Sequence, residues 1–120
     1  MGFVRFSSMT ATLVLSASAA FANDADFSLI NKTGYQIDEV YVARPSSSDW
    51  GRDIMGTGNL PDGSKVKITF AHGNNACKWD IKVKYNDGDE SSWSSVDLCQ
   101  YDTITLYWDK QGRQTRAVGE

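Results

Sequence analysis

The stretch from Cys77 to Cys99, CKWDIKVKYNDGDESSWSSVDLC, constrains this chain most: it reads as a strand, a turn and a return strand with a cysteine at each end. Cys77, Trp79, Ile81, Val83 and Tyr85 alternate with Lys78, Asp80, Lys82 and Lys84, the period-two pattern of a strand with one dry face and one wet face. Asn86-Asp87-Gly88-Asp89 supplies residues that tolerate positive φ, so the chain reverses there. With Cys77 paired to Cys99, counting inward equally puts Tyr85 opposite Ser91 and leaves a loop from Asn86 to Glu90. On the return strand Trp93 and Cys99 share one phase while Val96 and Leu98 share the other. A bulge near Ser94-Ser95 that switches the face is preferred over a second packed layer.

The first 22 residues predict a cleaved export signal. A short segment with one positive charge, Arg5, precedes an apolar stretch from Met9 to Ala20, and Ala20-Phe21-Ala22 forms a small-x-small cleavage site before Asn23. A single Arg rather than a twin-Arg pair points to the general secretory route. No later segment approaches the ~20 apolar residues of a membrane-spanning helix, so no transmembrane segment is expected after cleavage. The expected location is periplasmic or secreted.

Removing the first 22 of the 120 residues leaves 98, one small domain with a single core. Its basic and acidic side chains then number 11 and 15, a formal charge of −4, which argues against nucleic acid as a partner. Lys78, Lys82 and Lys84 on one wet strand face read as a solvated surface that discourages edge pairing. Two cysteines in an exported chain predict one disulfide, Cys77 to Cys99. A zinc site is disfavoured: the chain has one histidine, no CxxC, and cysteines too far apart in sequence for a zinc clip.

In chain order, Phe27 to Ile30 reads as a first strand stopped by Asn31-Lys32-Thr33-Gly34, with Gly34 at the positive-φ position. Asn31-Lys32-Thr33 also matches an N-glycosylation acceptor, relevant only to a eukaryotic secretory pathway; an ordinary turn is preferred. Tyr35 to Ala43 is a second strand whose phase slips at Asp38-Glu39, predicting a bulge. Residues 44–63, with Pro45, Pro61, three serines and four glycines, read as a long surface connection with one short strand or helical turn near Asp53-Ile54-Met55. Val66, Ile68 and Phe70 mark a half-buried strand, and Thr103 to Trp108 is a strand rich in β-branched and aromatic residues. Asp109 to Glu120 reads as a polar tail that adds a short hairpin arm or stays mobile.

Six or seven short strands, no helical apolar stripe and one disulfide predict an all-β fold: a two-layer antiparallel β-sandwich, immunoglobulin-like or C2-like, spanning 23–120. A closed small barrel is the second choice. The expected core is Phe27, Leu29, Ile37, Val40, Val42, Val66, Ile68, Phe70, Trp79, Ile81, Val83, Ile104 and Leu106.

Chemistry is sparse. His72, the lone histidine, sits in a Gly/Asn-rich link, and no GxSxG elbow accompanies it. With both cysteines oxidised no thiol nucleophile remains, and 98 residues leave little room for a deep cleft. The chain is therefore read as not an enzyme, with a small hydrolase as a distant alternative and no cofactor. Calcium is the metal reading, at Asp87, Asp89 and Glu90 on the hairpin tip, although the spacing does not match an EF-hand. Carbohydrate is the small-partner reading, because four tryptophans is a high count and flat aromatics beside polar groups make sugar platforms. Trp79 and Trp108 fall in strand phases and read as core, which leaves Trp50 and Trp93; for Trp50, in the long loop, folding back to cap the core is preferred over a binding role.

The succession Phe27-Ser28-Leu29-Ile30-Asn31-Lys32-Thr33-Gly34, Tyr41-Val42, Ser46-Ser47-Ser48-Asp49-Trp50-Gly51-Arg52-Asp53, Leu60-Pro61-Asp62-Gly63, Cys77-Lys78-Trp79-Asp80-Ile81-Lys82-Val83 and Asp87-Gly88 resembles a group of short exported bacterial β-sandwich proteins. Some of that group carry the inherited name argininosuccinate lyase. The lyase is a large helical tetramer whose active site draws on several subunits, so the name does not carry over to a short β chain. The resemblance covers roughly residues 26–108, rests on turn and strand signatures, and implies a periplasmic or secreted sandwich of a Gram-negative bacterium.

The expected function is a non-catalytic module that recognises a protein, peptide or glycan outside the cytoplasm through its sandwich-end loops. Trp50, Arg52, Asp53 and Trp93 are the expected contacts, because aromatic and Arg anchors dominate interface energies. A calcium-binding or calcium-stabilised sandwich is the alternative.

Overall fold

Alternating apolar positions along short segments leave each strand one face to bury, and two such sheets stacked face to face satisfy them all. The computed structural model describes residues 24–71 and 75–120. The proposed signal segment and His72 lie outside the described residues. Seven strands are found among the latter: β1 (Phe27–Lys32), β2 (Ile37–Ala43), β3 (Lys65–Ile68), β4 (Lys78–Tyr85), β5 (Glu90–Asp97), β6 (Thr103–Asp109) and β7 (Gln114–Gly119). They form a four-stranded sheet in the order β3-β1-β6-β7 and a three-stranded sheet in the order β2-β4-β5. The architecture is the all-β sandwich expected, and all thirteen expected core residues are in the interior cluster or packed against it, joined by Leu60, Leu98, Ala25 and Tyr85.

Three features depart from expectation or decide between readings left open. First, β1 and β6 run parallel, with Leu29 beside Ile104 and Asn31 beside Leu106, so the larger sheet is mixed. A parallel neighbour needs a long crossover, here the whole second sheet, and residue alternation carries no sign of strand direction. Second, of the two readings of the segment after Asp109, the hairpin arm is the one found. Asp109 Oδ1 accepts from the amides of Gln111 (3.1 Å) and Gly112 (3.2 Å), and the chain returns as β7 in register with β6, Gly119 opposite Ile104. Third, the hairpin register is shifted: Val83, not Tyr85, faces Ser91.

That shift is two residues: one step lies between the disulfide and the Lys78–Asp97 pair, beside the turn that carries Cys99, and the other is the bulge expected near Ser94-Ser95. The β4–β5 register slips between Trp79 and Ile81, Ser95 takes φ 52°, and its amide donates to Asp80 Oδ1 at 2.8 Å. The second expected bulge is also present, between Ile37 and Glu39. Cys77 and Cys99 are bonded, with Cα atoms 5.2 Å apart. Cys99 sits in a short 3-10 turn (Leu98–Gln100) in which its own amide is capped by the Asp97 carboxylate. Residues 54–57 form a turn rather than a strand.

Asn31 departs most from its expected role as a surface turn residue. Its side chain points inward at 0% exposure. Nδ2 donates to the carbonyls of Tyr35 (2.7 Å) and Leu60 (2.9 Å), and Oδ1 accepts from the Thr33 amide (3.0 Å) and hydroxyl (2.7 Å). The acceptor nitrogen of the glycosylation motif is thus consumed inside the protein.

Two predictions follow from these contacts. Asn31→Leu fills the volume but leaves the Thr33 amide without its acceptor and takes one of two donors from the Tyr35 and Leu60 carbonyls, which keep the Thr33 hydroxyl and the Ile37 amide; it is expected to cost about 1–3 kcal/mol in urea denaturation, against about 0.5 kcal/mol or less for Lys32→Ala. Replacing both cysteines by Ala is expected to cost roughly 3–4 kcal/mol, the chain-entropy value for a loop closed across 22 positions. An unchanged urea midpoint would show that the bridge does not constrain the unfolded chain.

Candidate functional site

The longest irregular connection leaves β2 at Ala43 and folds back over the outer face of the three-stranded sheet. Its course is set by short polar contacts. The Ser47 amide donates to the Arg44 carbonyl at 2.9 Å, the Ser47 hydroxyl donates to the Asp49 carbonyl at 2.8 Å, and Asp49 Oδ1 accepts from the Gly51 amide at 2.9 Å. Gly51 has φ 76°, a left-handed conformation that glycine adopts without strain. Trp50, between them, is half-buried.

Trp50 does not plug the core. Lys82 projects outward from β4, and its ammonium lies 5.1 Å from the Trp50 ring centroid and 4.8 Å from that of Tyr41 on neighbouring β2. Two aromatic rings thus share one cation. The Tyr41 hydroxyl donates to Glu39 Oε1. That hydrogen bond to a carboxylate, with burial and the charge of Glu39 adding to it, pushes the Tyr41 phenol up to about 12. Beside Trp50 a recess of about 100 Å³ opens between Arg44, Ser47, Ser48, Asp49 and Asp80. A flat ring edged by hydroxyls, two carboxylates and a guanidinium offers both apolar contact and hydrogen-bond donors and acceptors.

The other expected contacts are not gathered here. Trp93 faces the interior, opposite buried Ile81 across the β4–β5 ladder, and so lies on the opposite face of the sheet from Trp50. Asp53 is structural: its Oδ1 accepts from the amides of Val40 and Met55, both at 2.9 Å, while the Ile54 amide donates to the Val40 carbonyl. These contacts satisfy the free edge of β2, an edge strand that otherwise invites pairing. Arg52 is exposed and borders a different groove, against Val66 to Thr69. Tyr41 and Asp80 were not singled out from the sequence, and Lys82 was read only as part of a solvated face. Their signal was present as outward phase on two strands, but that phase does not say which loop lands on them.

The acidic tip is also rearranged. Asp87 Oδ1 accepts from the Asp89 amide at 2.9 Å, while Glu90 begins β5 opposite Lys84 on the outer face. Among the described residues, the one set of three metal-competent groups whose ligand atoms converge is Cys77, Asp97 and Cys99, and its sulfurs form the disulfide. Trp108, expected in the core, is half-buried at the sandwich end beside Tyr35.

The fold defines the class, a small disulfide-bonded β-sandwich with its polar recesses on loops. No protein-family model and no curated protein matches the chain. Among solved structures, a protein from Eubacterium rectale determined by NMR is similar over 81% of this chain and 88% of its own, with a TM-score of 0.57 at 13% identity. At that identity the likeness is one of fold alone.

Removing the carboxylate that holds the Tyr41 proton, by Glu39→Ala, is expected to return the phenol toward its ordinary 10.0. An ultraviolet tyrosinate titration reads this directly, and a curve identical to that of the unaltered chain would show that Glu39 does not hold the proton.

Proposed function

We propose that this chain is an exported, non-catalytic binding module that works outside the cytoplasm and meets its partner through the Trp50 patch, with a glycan as the chemistry the patch fits best. The observation that carries the reading is the placement of Trp50: an aromatic ring on the outer face of a sheet, edged by Arg44, Ser47, Ser48, Asp49 and Asp80. Sugars present C–H faces that pack on such rings and hydroxyls that pair with carboxylates and guanidinium groups. The shallow recess suits surface recognition better than the enclosed site a chemical step favours. Support for the compartment comes from the signal-like residues 1–22 and from the disulfide, a bond that persists in oxidising compartments.

The test is Trp50→Ala. It should cost no more than about 1 kcal/mol of stability, the worth of one exposed cation–π contact, and should abolish binding on a glycan array. Retained glycan binding, or a stability loss several times larger, would defeat the reading. Loss of a protein or peptide from a periplasmic pull-down, with no glycan bound by either form, would keep the patch but reassign its partner.

A further inference from the structure

The opposite end of the sandwich carries a second recess, of about 150 Å³, lined by Tyr35, Tyr85, Trp108, Asp87 and Asp89. Its three rings come from separate parts of the chain: the β1–β2 turn, the end of β4 and the end of β6. They stand as walls rather than as a stack. Tyr35 lies edge-on to both others, with centroids 6.4 Å and planes 83° from Tyr85, and 6.1 Å and 82° from Trp108. Tyr35 is 54% exposed, a large aromatic left in water at the mouth.

The electrostatics of this recess have one sign. Ring faces carry the negative part of the aromatic quadrupole, the two carboxylates are acidic, and the lining contains no Lys or Arg. Among the described residues, the cations that sit on rings do so elsewhere: Arg44 on Trp79, Lys82 on Tyr41 and Trp50, Arg116 on Tyr107.

We propose that this recess binds an organic cation of the quaternary ammonium class, its methyl groups against Tyr35, Tyr85 and Trp108 and its charge balanced by Asp87 and Asp89. Calcium fits poorly, since it takes six to eight oxygens and this lining supplies two carboxylates. A primary ammonium is strongly hydrated and would exchange its water for ring carbons. A methylated ammonium is bulky and weakly hydrated, and aromatic cages recognise it. The volume is close to the ~150 Å³ that admits a benzene-sized molecule, a scale that also suits a trimethylammonium group.

The walls are set before any ligand arrives. The Tyr35 carbonyl accepts from Asn31 Nδ2 and from the Thr33 hydroxyl, the Gly34 amide donates to Asp62 Oδ1, and the Tyr85 hydroxyl is 2.5 Å from that of Thr115. The acidic tip is fastened to the same turn, the Asn86 amide donating to the Gln36 carbonyl at 3.1 Å. Preorganised walls remove most of the ordering cost of binding.

The experiment is an NMR titration of the full chain, following the Trp108 indole and the amides of Tyr35, Asp87 and Asp89. The probes are choline, its neutral tert-butyl isostere, calcium chloride and phosphatidylcholine vesicles. Choline should shift these resonances saturably, and the isostere should bind at least about ten-fold more weakly, the factor of one desolvated cation–π contact. Tyr35→Ala, at an exposed position, should weaken choline by a similar factor while Tyr35→Phe retains it. Asp87→Asn with Asp89→Asn should weaken choline several-fold and flatten its salt dependence. Vesicles that shift the same resonances identify a lipid headgroup as the source, and a response to choline alone identifies a free solute; both support the site. No saturable shift, equal affinity for the isostere, or calcium displacing choline from the aspartates would overturn it. Trp50→Ala should leave choline binding unchanged, so this site and the Trp50 patch succeed or fail separately.

Discussion

One buried amide fixes how the two sheets are joined. Asn31 sits on the inner face of β1, where its neighbours in the ladder are apolar, yet both its donors and both its acceptor positions are used. Its own main chain is held as well: its amide donates to the Ser64 carbonyl at 2.9 Å, and its carbonyl accepts from the Gly63 amide at 2.6 Å. A single residue therefore ties β1 to the turn entering β2 and to the connection entering β3. In a low-dielectric interior such a network stabilises one arrangement and penalises any other by leaving its members unpaired. Because the Tyr35 carbonyl belongs to it, the direction of the whole turn follows, and Gln36 then receives the Asn86 amide of the distant hairpin.

A second constraint acts on faces. In a strand, inserting one residue exchanges inside and outside, and the two bulges do this at Asp38 and at Ser94-Ser95. Each lies close to an aspartate that keeps backbone groups satisfied: Asp53 takes the Val40 amide on the free edge of β2, and Asp80 takes the Ser95 amide. Both carboxylates are thereby fixed in place, and Asp80 becomes a rigid wall of the recess beside Trp50 rather than a mobile surface charge.

What the sequence made legible follows from this. Period-two alternation is strong where the inward residues are large, so the core positions of β1, β4 and β6 could be read directly, and the phase slips announced both bulges. β7 could be read only as a choice between a hairpin arm and a mobile tail, because its inward residues, Thr115, Ala117 and Gly119, are small and polar or nearly featureless. The parallel β1–β6 pair escaped because alternation does not encode direction. At the sites, legibility ended where contact became non-local. Trp50 could be suspected from its loop, but its partners Tyr41, Lys82 and Asp80 lie on two strands. The run Asp87 to Glu90 was visible as acid at a tip, but the rings that line a recess with Asp87 and Asp89, Tyr35, Tyr85 and Trp108, are scattered along the chain, and no local pattern announces them.

The two recesses sit at opposite ends of one ladder. Ile37 pairs with Tyr85 at the end that carries the aromatic walls, and Ala43 pairs with Asp80 at the end that carries Trp50. Six residue steps of extended strand separate these pairs, about 20 Å at the usual rise. Communication between sites requires an element with two discrete arrangements; the β2–β4 ladder between these ends is paired from Glu39 to Ala43 and interrupted at the bulge between Ile37 and Glu39. If both proposed sites are occupied, this ladder sets the distance between their ligands. A rigid spacer with a contact at each end gains from a target that presents both chemistries at the matching distance, since the second contact forms at high effective concentration. The selectivity of such a two-point contact would come from that distance, because a linker that cannot match the span of its target loses the gain.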